Sequence, residues 1–367
     1  MSSASRGPGT LHVIEPTLED YAGHCYGLVR SLCEAAKDLP RVTLWAGTHA
    51  AQLEFPANID VHPHFHRRLR VPQLWLLLRR LLGSHDDPIV LTTAKRVDLT
   101  LARLAARGTL PPGRLYLYFH WFRESPKRLA FLRKAAAAQP NLGILATTES
   151  VAAIFKTAGF AQVVYLPYPL TAAPGAEAGE SPFRHLLYAG AARQDKGFGH
   201  IVELAELLRA LGKELPLTVQ VSAEHYGKYD ETTRAQLRRL ENVNYAPLRL
   251  IREPLTPADY AELFRGAVCL QPYDRTEFKD RASGVTMDAL TQGAPIVATS
   301  GSWIAQQIRP HEAGVTLDDP RAADLLAAAE MVIASYGRYR RNALAAAQTL
   351  RARSWEPLLS RLRARNS

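Results

Sequence analysis

The chain has few cysteines and no long apolar run. Its 367 residues include three cysteines, Cys25, Cys33 and Cys269, at unpaired spacing, which argues against a disulfide framework or a zinc ribbon and for a reducing compartment. No apolar run approaches the roughly 20 residues of a membrane-spanning helix, and the opening MSSASRGPGT lacks the hydrophobic part of a secretory signal. These absences predict a cytoplasmic protein.

Metal-binding patterns are also scarce. No Asp-x-Asp motif has a convincing context, because Asp86-Asp87 and Asp318-Asp319 each precede a proline and are typical of turns. His62, His64 and His66 alternate in VHPHFHRR, where a metal site is a minor alternative to a loop. We therefore expect no metal and no other cofactor.

Short apolar runs alternate with helical patterns along the whole chain, which predicts parallel sheets. The predicted strands are LHVIEP, RVTLWAG, PIVLTTA, LYLYFH, GILATTES and VVYLPYPL in the first half, and HLLYAG, LPLTVQVSA, NVNYAPL, AVCLQPY and PIVATS in the second. A length of 367 residues at 47% hydrophobic content suits two cores. The Pro- and Gly-rich segment TAAPGAEAGESPFRH places the boundary near Leu170.

The most informative segment is residues 271–300, QPYDRTEFKDRASGVTMDALTQGAPIVATS. It lies between two predicted strands and contains a predicted helix, with Ser283 as its N-cap and Gly293 as its C-cap. The loop before the helix then follows the carboxyl end of a parallel strand, where open α/β sheets bind ligands.

The start of this helix suits a diphosphate. The N–H groups of Gly284, Val285 and Thr286 have no acceptors within the helix, and the helix dipole attracts an anion. Asp280 precedes the helix and Asp288 lies inside it, so that one carboxylate can bind sugar hydroxyls and the other a ribose. The alternative is that both aspartates merely solvate or cap a surface helix.

A second segment, HLLYAGAARQDKGFGHIVELAELLRAL, is predicted to form a strand, a glycine-containing turn and a helix. A phosphate can lie at this turn, which contains Arg193 and Lys196. A solvated turn is the alternative explanation for both basic residues.

Residues 280–288 resemble the E-x7-E segment of retaining GT-B glycosyltransferases, especially glycosyltransferase family 4, with aspartate in place of both glutamates. The resemblance implies that Asp280 contacts the transferred sugar and Asp288 the nucleotide ribose. Glu277, three residues earlier, is the alternative to Asp280.

The second segment resembles the diphosphate-binding turn of the same family. Gly190 begins the turn, and Lys196 and Gly197 match the family's K-G pair. Ala191 occupies the usual arginine position, so Arg193 is the implied substitute.

The resemblance implies an α/β protein of the GT-B fold, two Rossmann-like domains facing across a cleft. Residues 1–170 are expected to form an acceptor domain and residues 171–337 a nucleotide-sugar donor domain. Residues 338–367 are expected to form a C-terminal helix that crosses back to the N-terminal domain.

Three residues of the N-terminal half enter the predicted site through the same resemblance. Gly23 and His24, after the first strand, are implied to approach the donor phosphates or the acceptor, and His120, after the strand LYLYF, to line the sugar pocket. The alternatives are a histidine at a helix start without a ligand and a histidine bonded to backbone at a strand end.

The resemblance predicts a hexosyltransferase that moves sugar from a nucleotide-sugar donor to a glycan or lipid-linked acceptor with retention, in surface polysaccharide or lipopolysaccharide assembly. Such a transfer needs no protein nucleophile, because the leaving phosphate takes the acceptor proton. His120 and Asp280 would orient the sugar, while Arg193 and Lys196 stabilise the diphosphate. The alternatives are a sugar-nucleotide epimerase of the same fold and a non-catalytic nucleotide-sugar-binding protein.

The formal charge of +10 implies a further anionic partner. Residues 67–83 combine five arginines with a Leu and Trp run, which suits a helix at an anionic membrane surface, and residues 338–365 form a second basic cluster. A helix packed into its domain with solvated arginines is the alternative. Nucleic acid is a poorer explanation, because no binding motif occurs. We therefore expect a cytoplasmic protein that can be peripheral at the inner face of the cytoplasmic membrane.

Overall fold

Two units, each built on a parallel β-sheet, make up the part of the chain that the structure describes. The structure is a computed structural model, and it describes residues 10–21, 25–39, 41–84, 86–169, 181–221, 229–253 and 255–366. One unit contains the described residues up to Pro169 together with those from Ala352 onwards, and the other contains those between. Among the described residues, no helix combines the length and apolar character needed to cross a membrane.

The first unit has a seven-stranded sheet in the order β3-β2-β1-β4-β5-β6-β7. Its strands are β1 (Thr10–Glu15), β2 (Arg41–Gly47), β3 (Ile59–Phe65), β4 (Ile89–Leu91), β5 (Leu115–Phe119), β6 (Gly143–Ala146) and β7 (Val163–Tyr165). Its helices are α1 (Cys25–Ala35), α2 (Arg70–Ser84), α3 (Arg96–Ala105), α4 (Pro126–Ala138) and α5 (Glu149–Thr157), with a 3-10 turn at Ala50–Gln52. All neighbouring strands pair in parallel.

The second unit has a six-stranded parallel sheet in the order β10-β9-β8-β11-β12-β13. Its strands are β8 (His185–Tyr188), β9 (Leu217–Gln220), β10 (Leu248–Ile251), β11 (Ala267–Gln271), β12 (Ile296–Thr299) and β13 (Gly314–Leu317). Its helices are α6 (Phe198–Ala210), α7 (Glu231–Glu241), α8 (Pro257–Glu262), α9 (Gly284–Thr291), α10 (Trp303–Ile308), α11 (Ala322–Ala334) and α12 (Tyr336–Arg353), with 3-10 turns at Gln194–Lys196 and Arg309–His311.

Both faces of the first sheet are covered, as expected for parallel strands with helical crossovers. Along β1, Leu11 and Val13 point into one core and Ile14 into the other, because successive side chains of a strand face opposite ways. The buried leucines of α2 (Leu74, Leu77, Leu78 and Leu81) pack into the core that contains Ile14, together with apolar residues of α3, α4 and α5. Helix α1 packs into the core on the opposite face.

The last helix, α13 (Glu356–Asn366), packs on the same face of the first sheet as α1. Trp355, just before it, is 2% exposed, and its indole N–H donates to the Ser31 hydroxyl of α1 at 2.8 Å. Its ring meets that of Tyr118 in β5 edge to face, with centroids 5.9 Å apart. Leu358 and Leu362 are buried in the same core. The residues after Trp355 therefore belong to the core formed by the start of the chain.

Several boundaries differ from the sequence predictions. VHPHFHRR was predicted as a loop, but most of it lies in the edge strand β3, where His62 stacks on Trp45 with centroids 4.6 Å apart. NVNYAPL was predicted as a strand, but β10 begins only at its last residue, Leu248. The C-terminal helix expected over residues 338–367 is two helices, since α12 ends at Arg353 and α13 begins at Glu356. The strand β13 was not predicted.

Replacing Trp355 tests how much the first unit depends on α13. Trp355→Ala removes a buried ring and leaves the Ser31 hydroxyl without its donor, so we expect a loss of roughly 3–5 kcal/mol in unfolding free energy of this unit. Hydrogen exchange measured by mass spectrometry should show faster exchange in β1 and β2. Leu76→Ala is the control, because the Leu76 side chain is 56% exposed. Unchanged exchange in the Trp355 variant would contradict the assignment of α13 to this core.

Candidate donor-binding site

The second sheet has a switch point between its neighbouring strands β8 and β11. From β8 the chain continues to β9 on one side, and from β11 it continues to β12 on the other. Loops that leave such neighbours diverge and open a crevice outside the carboxyl ends of the strands, where ligands of open α/β sheets bind. The two loops here are residues 189–197 after β8, called the first loop, and residues 272–283 after β11, called the second loop. They contain seven of the fourteen predicted site residues, and α9, which follows the second loop, contains four more.

The two loops are joined at the backbone. Asp274 N–H in the second loop donates to the carbonyl of Asp195 in the first at 2.9 Å. Gly197 has φ of +68°, and a Cβ atom added there would lie 2.0 Å from the carbonyl oxygen of Pro272. Only glycine fits both this left-handed conformation and this close approach. Gly197, predicted as a donor-binding residue, therefore fixes the spacing of the loops.

Lys196 brings a cation to the point where the first loop meets α9. Its Nζ lies 3.0 Å from the position that a Cβ of Gly190 would take, and Val285 Cγ2 lies 3.3 Å from the same point. Nζ is also 5.4 Å from the centroid of the Tyr273 ring. Burial, and then repulsion from Arg193, lower the pKa of Lys196 from its ordinary 10.5 to about 8. Lys196, Gly190 and Val285, which were predicted separately, lie together.

The start of α9 is not capped by the side chain before it. Ser283 occupies the N-cap position, but its hydroxyl accepts no hydrogen bond from the first turn of the helix. The N–H groups of Gly284 and Val285 therefore have no partner within the helix or from this cap. At the other end, the N–H groups of Gly293 and Ala294 donate to two helix carbonyls in a Schellman motif, and Gly293 has φ of +70°. The C-cap residue is Gln292, and the predicted Gly293 follows it directly as the left-handed residue of this motif.

Two predicted donor-binding residues have polar groups that are already used within the protein. The Thr286 hydroxyl is buried and donates to Gln271 Oε1 of β11 at 2.7 Å. Gly190 N–H donates to Gln220 Oε1 of β9 at 2.7 Å. Gly190 can therefore contribute only the space that its missing side chain leaves for a ligand. Thr286 can contribute its backbone N–H but not its hydroxyl.

The acidic residues of the predicted site occupy two settings. Glu277 and Asp280 lie half-buried in the second loop, where Glu277 N–H donates to Asp274 Oδ1 at 2.7 Å in a turn. Asp288 lies in α9 and accepts a hydrogen bond from the Tyr260 hydroxyl at 3.2 Å. Burial raises the pKa of Asp288 from 3.8 to about 7, and the hydrogen bond from Tyr260 opposes this shift.

An ion-pair cluster that the sequence did not predict joins the two loops. Asp195 Oδ2 accepts from the guanidinium of Arg193, the predicted arginine, and from Nη1 of Arg281 in the second loop at 3.1 Å. The Arg281 guanidinium also lies 4.9 Å from the centroid of the Phe278 ring. Asp195 and Arg281 flank the two motifs in sequence, but 86 positions separate them, so a local pattern could not show that they meet.

The remaining predicted residues come from the N-terminal half of the sequence. His120 directly follows β5, and its Nε2 donates to the carbonyl of Thr92 at 2.8 Å, so that a neutral ring has Nδ1 as its acceptor. The rings of Tyr118 and Tyr168 contact it edge to face. Gly23 and His24 lie outside the described residues. Among the residues that the structure describes, no group of three or more His, Cys, Asp or Glu side chains is placed to hold a metal ion.

The raised pKa of Asp288 gives a testable dependence of stability on pH. Because the folded-state pKa exceeds the unfolded one, Asp288 favours folding below about pH 4 and loses that contribution as pH rises through about 7. Asp288→Asn should therefore match the wild type near pH 4 and exceed its stability above pH 7 by on the order of a few kcal/mol. Thermal melting across this range measures the difference.

Asp318→Asn is the control for this pH series, since the Asp318 side chain is 93% exposed. Its melting temperature should follow that of the wild type at every pH. An Asp288 variant that does the same would show that this carboxyl titrates normally.

No family profile matches the sequence, and no curated protein is significantly similar to it. Solved structures are similar in fold. Sucrose-phosphate synthase from Thermosynechococcus elongatus superposes with a TM-score of 0.67 at 14% identity, over 97% of this chain and 98% of that one. The trehalose-phosphate synthase (UDP-forming) of Burkholderia vietnamiensis gives 0.69 at 13%, over 98% and 99%. Anabaena HepE in complex with UDP and glucose gives 0.62 at 15%, over 97% and 98%.

These similarities extend over nearly the whole of each chain, and identities this low establish the fold alone. The expectation of an α/β protein with two Rossmann-like domains is confirmed, and the chain has the GT-B fold that these glycosyltransferase structures share.

Proposed function

We propose that the protein is a retaining glycosyltransferase whose second unit binds a nucleotide-sugar donor. The observation that carries this proposal is the meeting of Lys196, Gly190 and the uncapped start of α9 at the switch point of the second sheet. A cation beside free backbone N–H groups at the carboxyl ends of parallel strands suits a diphosphate. The fold neighbours include an enzyme described as UDP-forming and a complex with UDP and glucose, so UDP-sugars are the first donors to test.

In this proposal the protein accelerates transfer by electrostatic stabilisation and orientation. Lys196 and the first turn of α9 stabilise the charge that develops on the departing diphosphate. Asp280 orients the sugar, and Asp288 accepts a hydrogen bond from a ribose hydroxyl. The leaving phosphate takes the acceptor proton, so that the chain supplies no nucleophile and no metal takes part. A pKa near 8 for Lys196 means that its charge, and with it donor affinity, is lost above that pH.

Two other functions are consistent with the same fold. A sugar-nucleotide epimerase would act on a donor without any acceptor, whereas a transferase releases nucleoside diphosphate quickly only when an acceptor is present. A non-catalytic homologue would bind the nucleotide without turnover. The aspartates at positions 280 and 288 and the alanine at position 191 are the residues that favour this last alternative.

A thermal-shift panel tests the proposed function. We expect one nucleoside diphosphate among UDP, GDP, ADP and dTDP, and its sugar conjugate, to raise the melting temperature, since a ligand that binds only the folded state stabilises it by mass action. A chelator should not change the shift. Asp280→Ala should keep the nucleotide shift and lose transfer of the sugar from the selected conjugate to an acceptor.

Asp274→Ala is not suited as the control, because Asp274 holds the turn before Glu277. Asp318→Ala is the control, because the Asp318 side chain is 93% exposed. Full activity of Asp280→Ala would move its role to Glu277. No shift with any nucleotide would contradict donor binding altogether.

We also propose that the acceptor is a lipid-linked glycan in surface polysaccharide or lipopolysaccharide assembly, reached at an anionic membrane face. The charge distribution supports this. Residues 66–140 contain fifteen Lys and Arg against four Asp and Glu, a surplus of eleven, while the whole chain carries +10. Helices α2, α3 and α4 occupy this segment and lie side by side, since α2 packs on α3 and α3 on α4.

The outward surface of these three helices, here called the basic face, combines charge with exposed apolar side chains. Arg79 and Arg80 in α2 and Arg96 and Arg103 in α3 are exposed. Leu69, Val71, Leu76, Val97 and Leu104 are between 42% and 56% exposed. The inner leucines of α2 are buried in the core, while its arginines Arg79 and Arg80 are exposed. The helix therefore packs into its domain and also presents basic side chains at the surface. Basic side chains beside exposed apolar ones suit a surface rich in anionic lipid.

Vesicle sedimentation tests the basic face. We expect binding to vesicles containing phosphatidylglycerol, weak binding to pure phosphatidylcholine, and release by salt. Replacing Arg79, Arg96 and Arg103 by alanine should remove roughly 1 kcal/mol each, which lowers the partition coefficient by about two orders of magnitude.

The matched control replaces three exposed arginines of the second unit, Arg238, Arg252 and Arg265, by alanine. It changes the net charge equally and should bind vesicles as the wild type does. Equal losses in both variants would show a dependence on net charge alone, and no binding by the wild type would contradict the membrane proposal.

A further inference from the structure

Arg281 is a basic residue of the second loop that is held on two sides. Its Nη1 lies 3.1 Å from Asp195 Oδ2, and its guanidinium lies over the ring of Phe278, which is 2% exposed. The Arg281 side chain remains 30% exposed. A guanidinium fixed by an ion pair and an aromatic ring loses little conformational freedom when it binds a second anion.

The cluster around Arg281 has more positive than negative charge. Asp195 Oδ2 is shared by the guanidiniums of Arg193 and Arg281, and Lys196 follows Asp195 directly in the chain. Counted over both loops, five basic residues stand against four acidic ones, a surplus of one positive charge at the carboxyl ends of β8 and β11. Repulsion from Arg193 and Arg281 contributes to the lowered pKa of Lys196. An additional anion would balance the surplus and relieve this repulsion.

We propose that Arg281 binds the diphosphate of the donor together with Lys196, and that Asp195 positions both arginines for it. This inference rests on the proposed donor site. A nucleoside diphosphate carries more negative charge than Lys196 and the partial positive charge of a helix start can balance. The planar guanidinium donates two parallel hydrogen bonds to phosphate oxygens, which an ammonium group cannot do. Ala191, in the same first loop, offers no charge.

Calorimetric titration with UDP and with uridine, or with the base that the nucleotide panel selects, tests this role. Arg281→Ala should bind the diphosphate about ten- to hundredfold more weakly, as expected for loss of a hydrogen bond to a charged group, and should bind the nucleoside as the wild type does. The diphosphate affinity of Arg281→Lys should lie between those of Arg281→Ala and the wild type. Arg252→Ala is the control, because Arg252 pairs with Glu241 at 2.6 Å elsewhere on the same unit.

The outcomes separate this inference from the proposed function. Wild-type affinity for the diphosphate in Arg281→Ala would overturn the role of Arg281 and leave the donor site standing. An equal loss of nucleoside and diphosphate affinity would assign Arg281 to the structure of the loop and overturn the inference as well. Absence of diphosphate binding by the wild type would overturn both.

Discussion

The close contact between Gly197 and the carbonyl of Pro272 is the constraint on which the candidate site depends. It holds the loops after β8 and β11 at one spacing, and the hydrogen bond from Asp274 to Asp195 reinforces it. Because this hydrogen bond and the ion pair between Asp195 and Arg281 join the loops, Lys196 lies beside the start of α9 without any ligand to hold it there. The basic residues of the candidate site are therefore held close together without any ligand, and such a fixed arrangement of charges is called preorganised.

The sequence was most informative where a strand is buried on both faces. Strands β8, β11 and β12 are almost wholly buried and appear as short apolar runs, so they were predicted. The strands that were missed or displaced, β3, β10 and β13, all lie at the edge of a sheet. Edge strands are only partly covered and need no continuous apolar run. Strand β3 contains Pro63 and histidines, so its sequence has no continuous apolar run and was not predicted as a strand.

The candidate site also contains residues that the sequence predicts and contacts that it does not. Residues within one loop or one helix turn, such as Lys196 with Gly197 and Ser283 with Gly284, follow from local pattern and neighbouring elements. The meeting of Asp195 with Arg281 depends on strand order, because β8 and β11 are neighbours in the sheet although β9 and β10 separate them in the chain. No spacing rule gives that neighbour relation. The hydrogen bonds that occupy Thr286 and Gly190 were equally invisible, since their partners come from other strands.

The place of Trp355 and α13 in the first core has a consequence for the order of events during synthesis. The ribosome makes the strands of the first unit, then the whole of the second unit, and only then the helix that covers one face of the first sheet. Until that helix emerges, apolar side chains of α1 and β2 lie open at its place, and such surface promotes aggregation. The unit that is translated first is therefore the last to be completed, and part of its apolar surface stays uncovered while the second unit is made.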